Sequence, residues 1–230
     1  MENLLREYMD RAFAERGTIP QSGPGPVVTL SREFGCPSKL IAQQLTEKLN
    51  HHAGDGQPGI WRFISKEVVE ATARRLELNP NEVNYLMSSG NKGIIGDVLA
   101  SFSPTYVSNL RMRNTIRAVV NSLAGQGHVV IVGRGGVGVL QHHPNTLHVR
   151  LLAPREWRIT QVCKSRNLNT SEASRLVDEM DKKRASLIEL MTGEKFNPCL
   201  FDITINCSSL SLDEITGTIM GLMETKKMTG

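Results

Sequence analysis

The chain has 230 residues, enough for one large domain or two small ones, and its 40% hydrophobic and 22% charged content supports a sizeable core and argues against disorder. The net charge of +4 suits a protein that handles polyphosphate or nucleic acid, and equally an ordinary solvated surface. Four cysteines without C-x-x-C spacing indicate neither a zinc site nor a disulfide framework, and with neither a secretory leader nor a continuous apolar run of about 18 residues in view, a reducing cytoplasm is the expected setting and no membrane is expected as a partner.

Residues 2–16 read as an amphipathic helix with Leu4, Leu5, Tyr8, Met9, Ala12 and Phe13 on one stripe, followed by a Gly/Pro-rich linker to Pro26. Such a stripe docks on the body of its own chain or on a second copy, which gives a homodimer through this helix as one expectation. A short β-branched run, Val27 to Leu30, comes next, and Ile41, Ala42, Leu45 and Leu49 mark a helix over 38–50. Trp61 to Ile64 reads as a strand, 65–105 as a polar, helical insertion, and 107–124 as a helix. The clearest strand is His128 to Val132; another is Leu147 to Leu152. Two helices follow, the second from about Thr170 to Met191. The strand Phe201 to Ile205 and a helix from Asp213 to Met223 close the pattern. Strands alternating with helices predict an α/β fold with a parallel sheet covered on both faces, whose ligand lies beyond the carboxyl ends of the strands.

Four segments just past predicted strands, or facing them, carry candidate chemistry. Ser31 to Lys39 joins a strand to a helix, where free amides and the dipole attract phosphate. Lys39, in the first helical turn, opposes the dipole unless an anion binds. The G-x-x-x-x-G-K-[ST] pattern is absent, and an ordinary turn fits the segment too. After the clearest strand, Arg134 stands between Gly133 and Gly135, where its planar fork matches phosphate oxygens; a glycine turn with a solvated arginine is the plainer reading. Arg155 and Arg158 share one face of a helix opening with Pro154, with Arg166 two turns on. Arg184 falls on the apolar stripe Ala173, Leu176, Val177, Met180, Leu187, Ile188 and Met191, beside Asp181. A charge on that face calls for a partner or a cleft, or else snorkels past the edge.

Taken in order, Ser31-Arg32-Glu33-Phe34-Gly35, Gly133-Arg134-Gly135, Ala153-Pro154-Arg155, and Asp178, Asp181 and Arg184 resemble the cytidylate kinase-like family over about residues 27–224. The resemblance implies a three-layer phosphate-binding-loop (P-loop) kinase fold, with a monophosphate-binding insertion at about 65–105 and a lid at about 155–168. It also implies transfer of the γ-phosphoryl group of ATP to CMP or dCMP, with Mg2+. By residue matching, Ser31, Arg32, Gly35, Ser38 and Lys39 are expected to hold donor phosphates, and Arg134 and Arg184 the acceptor phosphate or the transferring group. Asp181 would orient Arg184, and Arg155 and Arg158 would close over the site.

The chain departs from the pattern at Pro37, where cytidylate kinases have lysine, and at Pro37-Ser38, where the looser family has two glycines. Gly135 replaces an aspartate that reads the nucleoside, and Val177 replaces an arginine. A nucleotide-binding regulator that has lost catalysis is therefore the alternative. A nucleic-acid-binding module ranks lower, because aromatic residues are only 5% of the chain and are not interleaved with the basic ones.

Overall fold

The structure, a computed structural model, describes residues 25–52, 61–65, 70, 71, 74, 75, 77 and 109–228. The expected N-terminal helix and nearly all of the expected insertion lie outside the described residues. The elements are β1 (Val27–Arg32), α1 (Ser38–His52), β2 (Arg62–Ile64), α2 (Asn109–Ala124), β3 (Val129–Val132) and α3 (Gly136–Val139). They continue with β4 (Thr146–Leu152), α4 (Arg155–Arg166), α5 (Thr170–Thr192), a 3₁₀ turn (Pro198–Leu200), β5 (Ile203–Asn206) and α6 (Leu212–Thr225).

The strands form one sheet in the order β2-β3-β1-β4-β5, and every neighbouring pair is parallel. In β1 the side chains alternate between two cores. Val27 joins Val129, Ile131 and the α2 residues Ile116, Val119 and Val120 on one face. Val28 and Leu30 join Val130, Val132, Leu147 and Val149 on the other, under Leu45 of α1 and Ile215 and Ile219 of α6. Full burial on both faces explains why β3 reads as an unbroken Val/Ile run instead of alternating apolar and polar residues. A third cluster, Phe34, Ile159, Val162, Ala173 and Val177, packs α4 and α5 onto the loop after β1.

Because all strands run the same way, the segments after β1, β3, β4 and β5 emerge along one edge. Backbone bonds stitch them together: Glu33 N–H to Leu151 C=O (2.9 Å), Gly133 N–H to Leu30 C=O (2.9 Å) and Cys207 N–H to Leu152 C=O (2.8 Å). Two features differ from expectation. The strand β5 starts at Ile203, two residues late, because Asp202 turns its carboxylate onto the His148 N–H (2.7 Å). The short helix α3 was not foreseen; its Gly136 and Gly138 give no apolar period, yet Gly138 must be small, since a Cβ there would sit 2.9 Å from Met191 Cβ.

Candidate functional site

The loop from Glu33 to Pro37 is closed on itself and on α4 and α5. Phe34 N–H donates to Asp181 Oδ1 at 2.7 Å. Cys36 N–H donates to Glu33 C=O (3.3 Å), Ser38 N–H to Cys36 C=O (2.9 Å), and Pro37 has no donor. Gly35, at φ 98°, lies against Arg158 so closely that a Cβ would approach its Cβ to 2.9 Å. Few amides of the turn are therefore left for a ligand. Ser31 and Ser38 are buried, and Lys39 lies exposed on α1.

Guanidinium groups gather where the amides do not. Arg32, the last residue of β1, lays its side chain across the end of β3, where a Cβ on Gly133 would stand 1.7 Å from its Nη1. Its Nε is closed off from solvent without a hydrogen-bond partner. Burial, then the like charges of Arg184 and Arg134, bring the Arg32 pKa down to about 9. Arg184 reaches from α5 to donate to the Arg32 carbonyl (3.2 Å), and its guanidinium stacks 5.1 Å over Phe34. Its pKa is lowered to about 10, by burial first. Arg134 sits in the left-handed region (φ 59°), between Gly133 and Gly135, both at φ 69°. Its Nε donates to Ser65 C=O (3.1 Å), tying the loop after β3 to the end of β2. The structure thus brings Arg32, Arg134 and Arg184 together.

Arg158 lies elsewhere in this scheme. Buried on α4, it donates to Ala153 C=O (3.0 Å), Phe34 C=O (3.1 Å) and Asp181 Oδ2 (2.5 Å), and pairs with Glu33 (3.3 Å). It clamps the loop. Asp181 has both oxygens engaged, by Phe34 N–H and Arg158, and acts on Arg184 only as a nearby charge. Arg155 makes a two-pronged pair with Asp178 (2.9 and 2.7 Å) and donates to Ser174 Oγ (2.6 Å), on an exposed surface. The segment expected as a lid is, from Arg155 to Arg166, a helix packed against α5 and the loop.

Two participants were not singled out from the sequence. Glu33 accepts from Arg150 Nη2 (3.3 Å) as well as pairing with Arg158, and the Phe34 ring carries guanidinium groups of both Arg166 (5.2 Å) and Arg184 (5.1 Å). A lone carboxylate and an aromatic at a strand end flanked by arginine-bearing helices were the available signals.

Five parallel strands under helices on both faces, with cationic loops along the carboxyl edge, define the P-loop kinase type of α/β protein. Solved structures agree on the fold. An uncharacterized protein from Eubacterium ventriosum is 21% identical, with 87% of this chain and 98% of that one covered and a TM-score of 0.58. Shikimate kinase from Acinetobacter baumannii, solved in complex with shikimate, is 14% identical, with 95% and 99% covered and a TM-score of 0.50. Residues 27–209 match the model of the cytidylate kinase-like family, and the chain belongs to that family. Membership makes it a kinase-like, nucleotide-binding protein of the phosphotransferase class. No curated protein sequence matches it. Among the described residues no helix is long and apolar enough to cross a membrane.

Proposed function

We propose that this protein transfers the γ-phosphoryl group of ATP to a nucleoside monophosphate of the CMP or dCMP kind. The observation that carries the reading is the cluster of Arg32, Arg134 and Arg184 at the carboxyl edge of the sheet. The like charges of Arg184 and Arg134 act against the Arg32 cation, Asp181 offsets the repulsion at Arg184, and a phosphate dianion reverses the balance at Arg32. The donor group fits this environment, because the Arg32 Nε is a buried donor with no protein acceptor among the described residues. ATP supplies the phosphoryl group, and the chain's work is to position it and neutralise its charge. Arg134 and Arg184 hold acceptor or transferring phosphate oxygens, while Arg158 and Asp181 fix the loop backbone against which they are set. Magnesium fits as an ion carried in on the nucleotide. Glu33 and Asp181 are already engaged by arginines, and Ser38, which follows Pro37 and opens α1, would be the hydroxyl to meet the ion by its place in the loop.

A second reading, nucleotide binding without turnover, draws support from Pro37 in place of the loop lysine and from Gly135. An aspartate at 135 would have its Cβ 2.5 Å from Met191 Cγ, so nucleoside recognition through that position is closed.

Arg184 separates the two. Arg184→Lys keeps the charge and loses the planar fork, so turnover should fall by roughly 10³–10⁵, the range measured for arginines that stabilise a transferring phosphoryl group. Arg184→Met suits the apolar stripe and should fold at least as stably as the parent. The test is to measure melting temperature and ATP-dependent phosphorylation of CMP and dCMP in all three proteins. Lost activity with retained stability supports a phosphotransferase. Nucleotide-induced stabilisation of the parent with no turnover of either acceptor favours the regulator. A stability loss in both variants, with activity tracking the folded fraction, makes Arg184 structural.

A further inference from the structure

A phosphate-binding loop ordinarily combines backbone amides with a lysine, and this loop offers neither in the usual form. The amides of Glu33, Phe34, Cys36 and Ser38 are spent on Leu151, Asp181, Glu33 and Cys36, and residue 37 is proline. Lys39 is exposed on α1. The nearby carboxylates are spent as well, Asp181 on Arg158 and Phe34 N–H, Glu33 on Arg150 and Arg158.

What remains is Arg32. Its Nε is inaccessible to solvent and unpaired, no carboxylate among the described residues pairs with its guanidinium, and the charged groups that act on it most strongly, Arg184 and Arg134, share its sign. The side chain is half-buried, and shutting off the Nε of a cation without an acceptor is costly unless an anion completes the arrangement. The fold nevertheless reserves the space: Gly133 is without a side chain where Arg32 lies, and any Cβ would overlap the guanidinium at 1.7 Å. The Arg32 backbone is fixed too, its carbonyl held by Arg184 and its strand paired to β4 up to Leu151.

We propose that Arg32 replaces the missing loop lysine as the principal phosphate-binding residue, holding a tetrahedral phosphate dianion between the ends of β1 and β3 with Arg134 and Arg184 beside it. The proposal rests on the nucleotide-binding reading only for the origin of that phosphate. The shared chemistry of a nucleotide's terminal phosphoryl, a monophosphate's phosphate and free phosphate is the same.

The experiment uses the full chain and titrates inorganic phosphate, ATP and CMP separately, at constant ionic strength set with chloride, reading melting temperature and calorimetric affinity. The parent should be stabilised by inorganic phosphate. In Arg32→Met the melting temperature without ligand should hold or rise, while phosphate affinity falls by about 10–100-fold, the worth of one charged hydrogen-bonding group. Arg32→Lys should bind phosphate at an intermediate level, and it decides the matter if the methionine variant does not fold. ATP binding weakened with CMP binding intact assigns the pocket to the donor, and the reverse to the acceptor. Full phosphate affinity in Arg32→Met, or in the lysine variant should that be the only one to fold, overturns the proposal. Loss in Lys39→Met alone also overturns it. Phosphate binding that depends on Arg32 in a protein with no kinase activity would leave the proposal standing and remove the phosphotransferase reading. Undiminished kinase activity in Arg32→Met would do the opposite.

Discussion

At the scale of single residues, the buried histidine of β4 carries a pH dependence of its own. His148 bonds Thr29 Oγ1 through Nδ1 at 2.7 Å. Burial pushes its pKa below 6.5; Asp202 pulls it upward, and Lys226 and His143 add to the lowering. A base with a depressed folded pKa is protonated first in the unfolded chain, so stability falls as pH drops below about 6.5 toward the folded value. Urea midpoints of the parent should decline between pH 7.5 and 5.5 more than those of His148→Gln. Equal declines would refute the assignment. His128, also lowered by burial and by Arg62, keeps a share of the effect in both proteins.

At the scale of elements, α5 and α6 each begin with a reciprocal cap. In α6, Ser211 Oγ accepts from Glu214 N–H (3.2 Å) while the Glu214 carboxylate accepts from Ser211 N–H (2.8 Å). Ser211→Ala should lower unfolding free energy by about 1 kcal/mol, measured by chemical denaturation; a change within a few tenths would show that the cap is idle. The same elements show what the sequence reveals and what it hides. Apolar spacing places α1, α2, α5 and α6 within a few residues, and the carboxyl-edge loops follow from the parallel order. Arg184 was legible as a charge interrupting an apolar stripe. The engagement of Arg158 was not, because its partners Glu33, Phe34, Ala153 and Asp181 come from three separate segments, and periodicity within one helix carries no record of them.

For the whole molecule, the third core cluster and the Arg158 network join the α4–α5 pair to the sheet edge. Arg158 is 7% exposed and compensates Glu33 and Asp181 together. Removing one partner of a buried pair typically costs about 3–5 kcal/mol. Arg158→Met should therefore destabilise the protein by about that amount, in contrast to Arg184→Met. Guanidinium denaturation of the two variants is the comparison; equal stabilities would mean that the clamp contributes nothing to cohesion.

The run Gly133-Arg134-Gly135 has a consequence for how this edge tolerates change. Three successive residues adopt left-handed backbone conformations, and the middle one has a side chain. An L-residue there is strained by roughly 1–2 kcal/mol, which asparagine would partly relieve and glycine would avoid. Its neighbours admit no side chain for unrelated reasons: Gly133 meets Arg32, and Gly135 meets Met191. Neither glycine can therefore take over a side-chain role from Arg134. The segment is a mutational bottleneck, in which the one position free to carry a cation is the one where the backbone least favours it.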